Sequence, residues 1–203
     1  PMFGHKDIIG YGTDEFCVKE IDKDLAKETI IKNHYSGKTY NGTYVNLGVY
    51  IKSEFLGVLQ YGYAMNPASC ASVVDGTEMN QYLELNRMWL DDKAKRNSES
   101  KAISYSIKYI KGKLKTIKWI QSFADERCGG LGIELDGETF HNSIKTSEKA
   151  GKRGYNLLNN PKNKDRVNHY ELRQFRYIKF LDKRWVKKCK HKEQPYLKHY
   201  NND

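Results

Sequence analysis

Apolar positions follow two rhythms along this 203-residue chain, and the places where the rhythm changes outline the elements. Asp22 is a good N-cap for a short helix reaching Ile31, because Leu25, Ala26, Thr29 and Ile30 recur at helical spacing and make one face. That helix should stop in the polar segment Asn33-His34-Tyr35-Ser36-Gly37, whose glycine suits a helix end. The runs Tyr44–Ile51 and Leu56–Tyr63 are rich in Val, Leu, Tyr and Gly and read as strands joined by a hairpin over 52–55. Asn66-Pro67 opens a polar stretch to about Asn80, expected to be a surface loop.

Tyr82–Leu90 (YLELNRMWL) is long and mostly apolar, as a central strand should be. The charged turn 91–97 follows, then a helix from Ser98 to about Ile110 with Ile103, Ile107 and Ile110 on one face. Ile117–Ala124 (IKWIQSFA) is the next strand. A strand–helix–strand run of this length implies a parallel pair with a right-handed crossover. Residues 128–160 show no clear rhythm, and Phe175–Leu181 reads as a late strand. The expected fold class is α/β (α+β), a mixed sheet flanked by few helices. It forms one domain over residues 2–203, with Pro1 read as a remnant of a cleaved tag.

Composition narrows the function. The chain is 30% charged and its mean hydropathy is −0.80. No apolar run approaches the roughly 20 residues of a membrane span, and the N-terminus has no export pattern. Cys17, Cys70, Cys128 and Cys189 lie far apart without a CxxC pair, which argues against zinc or a disulfide framework and suits a reducing cytoplasm. The net charge of +10 is segregated: residues 145–203 hold 17 Lys and Arg against 6 Asp and Glu, and the rest of the chain is nearly balanced. A basic segment over 183–203 can neutralise phosphates; an ordinary solvated tail fits the same composition.

Two places could support chemistry. The turn after Leu90 leaves the carboxyl end of a central strand and enters a helix N-terminus, where open sheets bind anionic ligands. Lys93, Lys95, Arg96, Ser98 and Ser100 supply charges and donors there. Neither GxGxxG nor GxxxxGK[ST] is present, so dinucleotide and P-loop readings fail. The alternative is a plain capped helix on a charged turn. Asp125 ends the adjacent strand, where its carboxylate could serve as a base, orient an amine, hold a metal or cap the next loop. On their own, His34 and Tyr35 give no catalytic signal.

Together, His34-Tyr35, LNRMWLDD (Leu85–Asp92), KRNSESKAISYSIKYI (Lys95–Ile110) and KWIQSFAD (Lys118–Asp125) resemble the Mom family of phage DNA-modification proteins. FRYIKFLDKRWVKK (Phe175–Lys188) is a weaker echo of it. The resemblance implies a GNAT-like (N-acyltransferase) single domain that modifies the N6 amine of adenine in DNA with a carbamoylmethyl-type group, an anti-restriction activity. It implies acyl-CoA binding, by acetyl-CoA or a relative, at Arg87 and Ser100, with Arg96, Asn97 and Ser98 in the same turn. It places His34, Tyr35 and Asp125 at the reaction centre, with an iron site built from those three as one option.

The implied partner is double-stranded DNA with the adenine flipped out, held by Lys183, Arg184, Lys187, Lys188, Lys190 and Lys192. Trp185, Tyr196 and Tyr200 are then available for stacking. The expected location is a bacterial host's cytoplasm, and the oligomeric state is open, a dimer included. A GNAT-type acetyltransferase of a small-molecule or protein amine, and a catalytically silent DNA-binding protein, are the alternatives. The chain departs from the family after SFAD: Leu135 stands where the family has an active-site tyrosine, and Gly130 where it has a histidine. Tyr155 or Tyr63 could then supply the hydroxyl, with Glu134 and Asp136 as extra carboxylates nearby.

Overall fold

The computed structural model describes residues 10–125, 139–142 and 174–191. Its strands are β1 (Gly10–Thr13), β2 (Phe16–Glu20), β3 (Thr43–Ile51), β4 (Glu54–Gly62), β5 (Tyr82–Leu90), β6 (Trp119–Asp125), β7 (Thr139–Asn142) and β8 (Gln174–Phe180). The helices are α1 (Lys23–Asn33), the one-turn α2 (Cys70–Val73) and α3 (Ser98–Lys113). One eight-stranded sheet orders them β1-β2-β3-β4-β5-β6-β8-β7. Among the described strands only β5 and β6 run parallel, and α3 makes the crossover between them, as the strand–helix–strand run requires.

Local chemistry explains most boundaries. Asp22 caps α1 by accepting from the amides of Asp24 (2.7 Å) and Leu25 (3.4 Å). Ala26, Thr29 and Ile30 form its buried face; Leu25, expected on that face, is exposed because it lies a turn-step away from the stripe that meets the sheet. The β3–β4 hairpin is tighter than expected. Lys52 and Ser53 both take positive φ (49° and 68°), so Glu54 and Phe55 already belong to β4.

The sheet has two covered faces. On one, α3 lays Ala102, Ile103, Tyr109 and Ile110 over Val45, Leu47, Val49, Leu59, Tyr61, Leu83 and Leu85. On the other, Ala26 and Ile30 of α1 meet Val58 and Trp89. A further cluster on Tyr82, Trp119 and Ile178 is covered by Ala64, Cys70, Val73 and Val74. Residues 66–80 are therefore not a surface loop. They fold in short turns whose apolar side chains close this cluster, and Thr77 accepts the buried Trp119 indole N–H at 3.1 Å. Among the described residues no helix is long and apolar enough to cross a membrane.

Candidate active site

The site begins with a strand that gains a residue. In the β4–β5 ladder Gln60 faces Arg87 while Tyr61 faces Leu85, so Asn86 is an extra residue on β5. Strand alternation places Leu83 and Leu85 against α3, and Tyr82 and Glu84 on the opposite face. Past the bulge the alternation is offset by one. Met88 and Leu90 now pack toward α3, while Arg87 and Trp89 turn to the α1 face. One inserted residue thus gathers Glu84, Asn86 and Arg87 on a single face. A second irregularity leaves Tyr44 extra on β3, across β4 from the first.

The same region is where the sheet opens. β5 and β6 are paired only from Tyr82–Trp119 to Leu85–Ser122. Beyond that, β5 continues against β4 alone and β6 continues against β8 alone. The backbone edge of β5 from Asn86 onward faces the gap between the diverging strands.

His34 caps the C-terminus of α1, and its Nδ1 lies 2.8 Å from the Ser36 hydroxyl and accepts from the Ser36 amide at 3.1 Å. The imidazole packs on the Tyr35 ring at 4.2 Å between centroids. Burial, and then the nearby Arg87 charge, hold the His34 pKa down at about 4, so the ring is neutral at physiological pH. Arg87 donates from Nε to the Lys38 carbonyl (3.1 Å) and from Nη1 to the Asn86 carbonyl (2.6 Å). It fastens the loop after α1 to the bulge, beside His34. Arg87 therefore sits across the sheet from α3, whereas Ser98 and Ser100 lie at the start of α3.

At that helix start, Asn97 adopts a left-handed conformation (φ 70°) and its side chain makes no capping hydrogen bond. Ser98 is buried, and Lys93, Lys95, Arg96 and Ser100 are exposed around the turn. Asp125 is the last residue of β6, in register with Gln174 of β8. Its side chain lies outside the described residues, as do Leu135, Gly130, Glu134, Asp136, Tyr155, Lys192, Tyr196 and Tyr200.

The spacing of charges in the sequence did not reveal a polar row crossing the α1 face. Glu84, largely buried, accepts from Gln121 Nε2 at 2.7 Å and from Asn86 Nδ2 at 3.2 Å. Burial raises its pKa above the ordinary carboxylate value, against the pull of those two donors and of Arg176 and Arg87. Arg176 of β8, half-buried over the Phe123 ring, lies 3.1 Å from His191 Nε2 through its Nη1. Gln60 Nε2 donates to Asn46 Oδ1 at 2.9 Å on the same face. Tyrosines line the approach: Tyr44 and Tyr63 have ring centroids 5.1 Å apart, and burial pushes the Tyr44 phenol up to about 12. Tyr63 also lends its carbonyl to Asn86. The available signal was a glutamate and a glutamine inside the apolar first halves of two strands.

The basic segment is more engaged than its sequence suggests. Asp182 caps the 3-10 turn Lys183–Lys188 and holds Arg184 at 2.7 Å; Lys190 pairs with Asp75 at 2.8 Å. Trp185 packs against the Tyr82–Trp119 cluster with Lys188 over its ring at 4.2 Å, so that indole is committed to the fold rather than to stacking on a base. Lys183 and Lys187 are exposed.

Among the described residues no three His, Cys, Asp or Glu side chains converge on a metal position. His34 brings one imidazole whose Nδ1 is already engaged, and Tyr35 is a largely exposed phenol. The described donors do not fit an iron centre.

A mixed sheet whose two central parallel strands part beside a bulge, with α3 on one face and α1 and α2 on the other, is a GNAT-like fold. Arabidopsis thaliana NAA60 in complex with acetyl-CoA superposes with a TM-score of 0.50 at 11% identity, covering 82% of this chain and 99% of that one. The C-terminal condensation domain of Ebony in complex with beta-alanyl-dopamine gives 0.51 at 10% identity, with the same coverage. Sequence goes further than fold. The chain belongs to the Mom protein family, whose profile matches residues 15–198. It is 42% identical over 213 residues to the methylcarbamoylase Mom of Escherichia phage Mu, covering 94% of this chain and 87% of that protein.

Proposed function

We propose that this chain is a transferase that places a methylcarbamoyl group, an isomer of the carbamoylmethyl group the resemblance implied, on the N6 amine of adenine in DNA, using an acyl-CoA. The observation that supports it best is the identity to the phage Mu methylcarbamoylase over nearly the whole chain, on a fold whose central strands part beside a built polar site.

The residues present suit an acyl-CoA. The edge of β5 beyond Leu85 offers strand hydrogen-bonding groups that an extended, amide-containing arm can join as a strand would. The uncapped start of α3, with Lys93, Lys95, Arg96, Ser98 and Ser100 around it, suits a pyrophosphate. When bound, the acyl-CoA supplies an activated acyl carbon. Arg87, the proposed acyl-CoA contact, also pins the His34–Lys38 loop onto the bulge and adds to the effect of burial on His34. Because Nδ1 accepts from the Ser36 amide, the neutral ring carries its proton on Nε2 and offers a hydrogen-bond donor there. Asp125, at the carboxyl end of β6, is the proposed third member of the reaction centre.

DNA is the proposed macromolecular substrate, with Lys183, Lys187 and their basic neighbours meeting phosphates and the base flipped out to reach the face that bears Glu84 and His34. The work takes place in a bacterial host's cytoplasm. Expression of the chain alongside a plasmid tests the reading. The plasmid is expected to resist restriction endonucleases whose sites contain adenine, and Asp125→Ala should restore cleavage. Complete cleavage of plasmid from cells holding soluble wild-type protein would contradict it.

A further inference from the structure

Three buried polar atoms on the α1 face have no hydrogen-bond partner among the described residues, Gln60 Oε1, Gln121 Oε1 and Arg176 Nε, and the last two, on neighbouring strands, are of opposite kind. Gln121 Oε1 can only accept, and Arg176 Nε can only donate. Gln121 is 3% exposed. Leaving such atoms unmatched in a folded interior is costly, by about 1–3 kcal/mol each. Their orientation is not free to change. A carboxylate accepts only, so Glu84 Oε2 requires the amide nitrogen of Gln121, at 2.7 Å, and forces its oxygen away. Asn86 holds the other carboxylate oxygen. Arg176 lies two residues along the same face, since its register partner is Phe123. Its Nη1 lies 3.1 Å from His191 Nε2, which holds the guanidinium in place.

We infer that Gln121 and Arg176, with Glu84 as the group that orients Gln121, form a base-reading subsite that accepts from an exocyclic amine and donates to the adjacent ring nitrogen. This rests on the reading that the chain handles adenine in DNA, and deepens it. Adenine presents an N–H donor at N6 beside an acceptor ring nitrogen, which complements the two atoms. A 6-keto purine presents an oxygen where Gln121 offers an oxygen, so the same arrangement rejects it. Cytosine shares the amino–ring-nitrogen edge, and its smaller ring is left to the tyrosines at the mouth to distinguish. The positive end of Arg176 beside a ring nitrogen also favours an electron-rich heterocycle over an aliphatic amine, which would bring its own positive charge.

Competition binding tests this with the full chain and short single strands that differ in one central base: adenine, hypoxanthine or unsubstituted purine. The wild type should prefer adenine over hypoxanthine by about tenfold or more, with purine between, because a site built for a hydrogen bond penalises the mismatched group. Gln121→Leu should erase the preference while the common affinity from phosphate contacts stays. Glu84→Gln is nearly isosteric and serves as the second variant should Gln121→Leu fail to fold. An amide pair can join in either sense, so the Gln121 oxygen is no longer fixed outward and the preference should fall to within about twofold. Equal wild-type binding of the three strands overturns the inference, as does an unchanged preference in Glu84→Gln. Plasmid protection keeps the two claims separate. A chain that protects plasmid but does not discriminate sinks the subsite alone; one that discriminates but leaves plasmid unprotected sinks the transferase reading alone.

Discussion

Arg87→Ala removes the clasp between the α1 loop and the β5 bulge, and its consequences can be worked out bond by bond. The guanidinium donates to two backbone carbonyls, at 3.1 Å on Lys38 and 2.6 Å on Asn86. Hydrogen bonds from a charged donor are worth about 1.5–3 kcal/mol each when well shielded. The Lys38 end is exposed, so the pair together should stabilise by about 2 kcal/mol, a loss of about 4–8 °C in Tm for a chain of this size. The more diagnostic effect is on His34. Its pKa is held at about 4, first by burial and second by the Arg87 charge. Removing the smaller cause should raise the value by less than half the way back to the ordinary 6.5. Titration of the His34 ring by NMR, in the wild type and in Arg87→Ala, reads this directly. Arg87→Lys keeps the charge but loses the two-pronged geometry. It should therefore hold the His34 pKa low while losing part of the stability. An Arg87→Ala chain whose His34 titrates as in the wild type would refute the proximity argument, and one titrating at 6.5 would refute the primacy of burial.

Other consequences are open to measurement. The His34 pKa is lower in the folded chain than in the unfolded one, so the unfolded chain binds the extra proton between pH 4 and 6.5. Stability from the neutral ring is complete above about 6.5 and is lost as pH falls toward 4, by about 1 kcal/mol after discounting for its partial exposure. Glu84 works in the opposite sense, since its raised folded pKa makes the folded chain less stable as pH rises above the unfolded carboxylate value. His191, whose pKa burial also lowers, acts in the same sense as His34. Denaturant unfolding of the double variant His34→Gln/His191→Gln across this range should therefore show stability declining with rising pH, and a flat profile would contradict it. Thr77→Val strands the Trp119 indole N–H, which now has its partner at 3.1 Å. Thermal unfolding should show a loss of about 1–3 kcal/mol. Replacing Lys183 and Lys187 by alanine should flatten the log–log salt dependence of DNA binding by about 0.9 per residue without changing base preference. An unchanged slope would remove both from the interface.

Much of the framework can be read from the order of residues. Tyr82–Leu90 has the length and apolar density of a central strand, and the Ser98 helix and the strand after it leave only a parallel partner for it. Residues 66–80 defeated the same reasoning because the buried stripe Cys70, Val73, Val74 and Thr77, though at helical spacing, is only two turns long and sits among Pro, Gly and polar residues; only Cys70–Val73 is α-helical beneath Tyr82 and Trp119. β1 and β2 escaped because they are short and carry polar residues at an edge of the sheet.

The site shows the limit more sharply. Leu85, Asn86 and Arg87 are neighbours in a familiar-looking motif, but which face Arg87 occupies depends on one bulged residue, and that is set by register against β4. The turn at Lys93–Ser100 is where the sequence puts it, while the hydrogen bonds of Arg87 to the Lys38 and Asn86 carbonyls are visible only in the fold. Glu84 and Gln121 are separated by most of the crossover, and only strand pairing makes them partners. The basic count of the C-terminal segment is legible, but its internal pairing with Asp182 and Asp75 is not.

Mass spectrometry of nucleosides from DNA of cells expressing the chain tests the central claim most directly. The expected result is a deoxyadenosine bearing a methylcarbamoyl-type group, abundant with the wild type and lost with Asp125→Ala. Deoxyadenosine of unaltered mass, from cells in which the wild-type protein is soluble and binds DNA, would contradict the account.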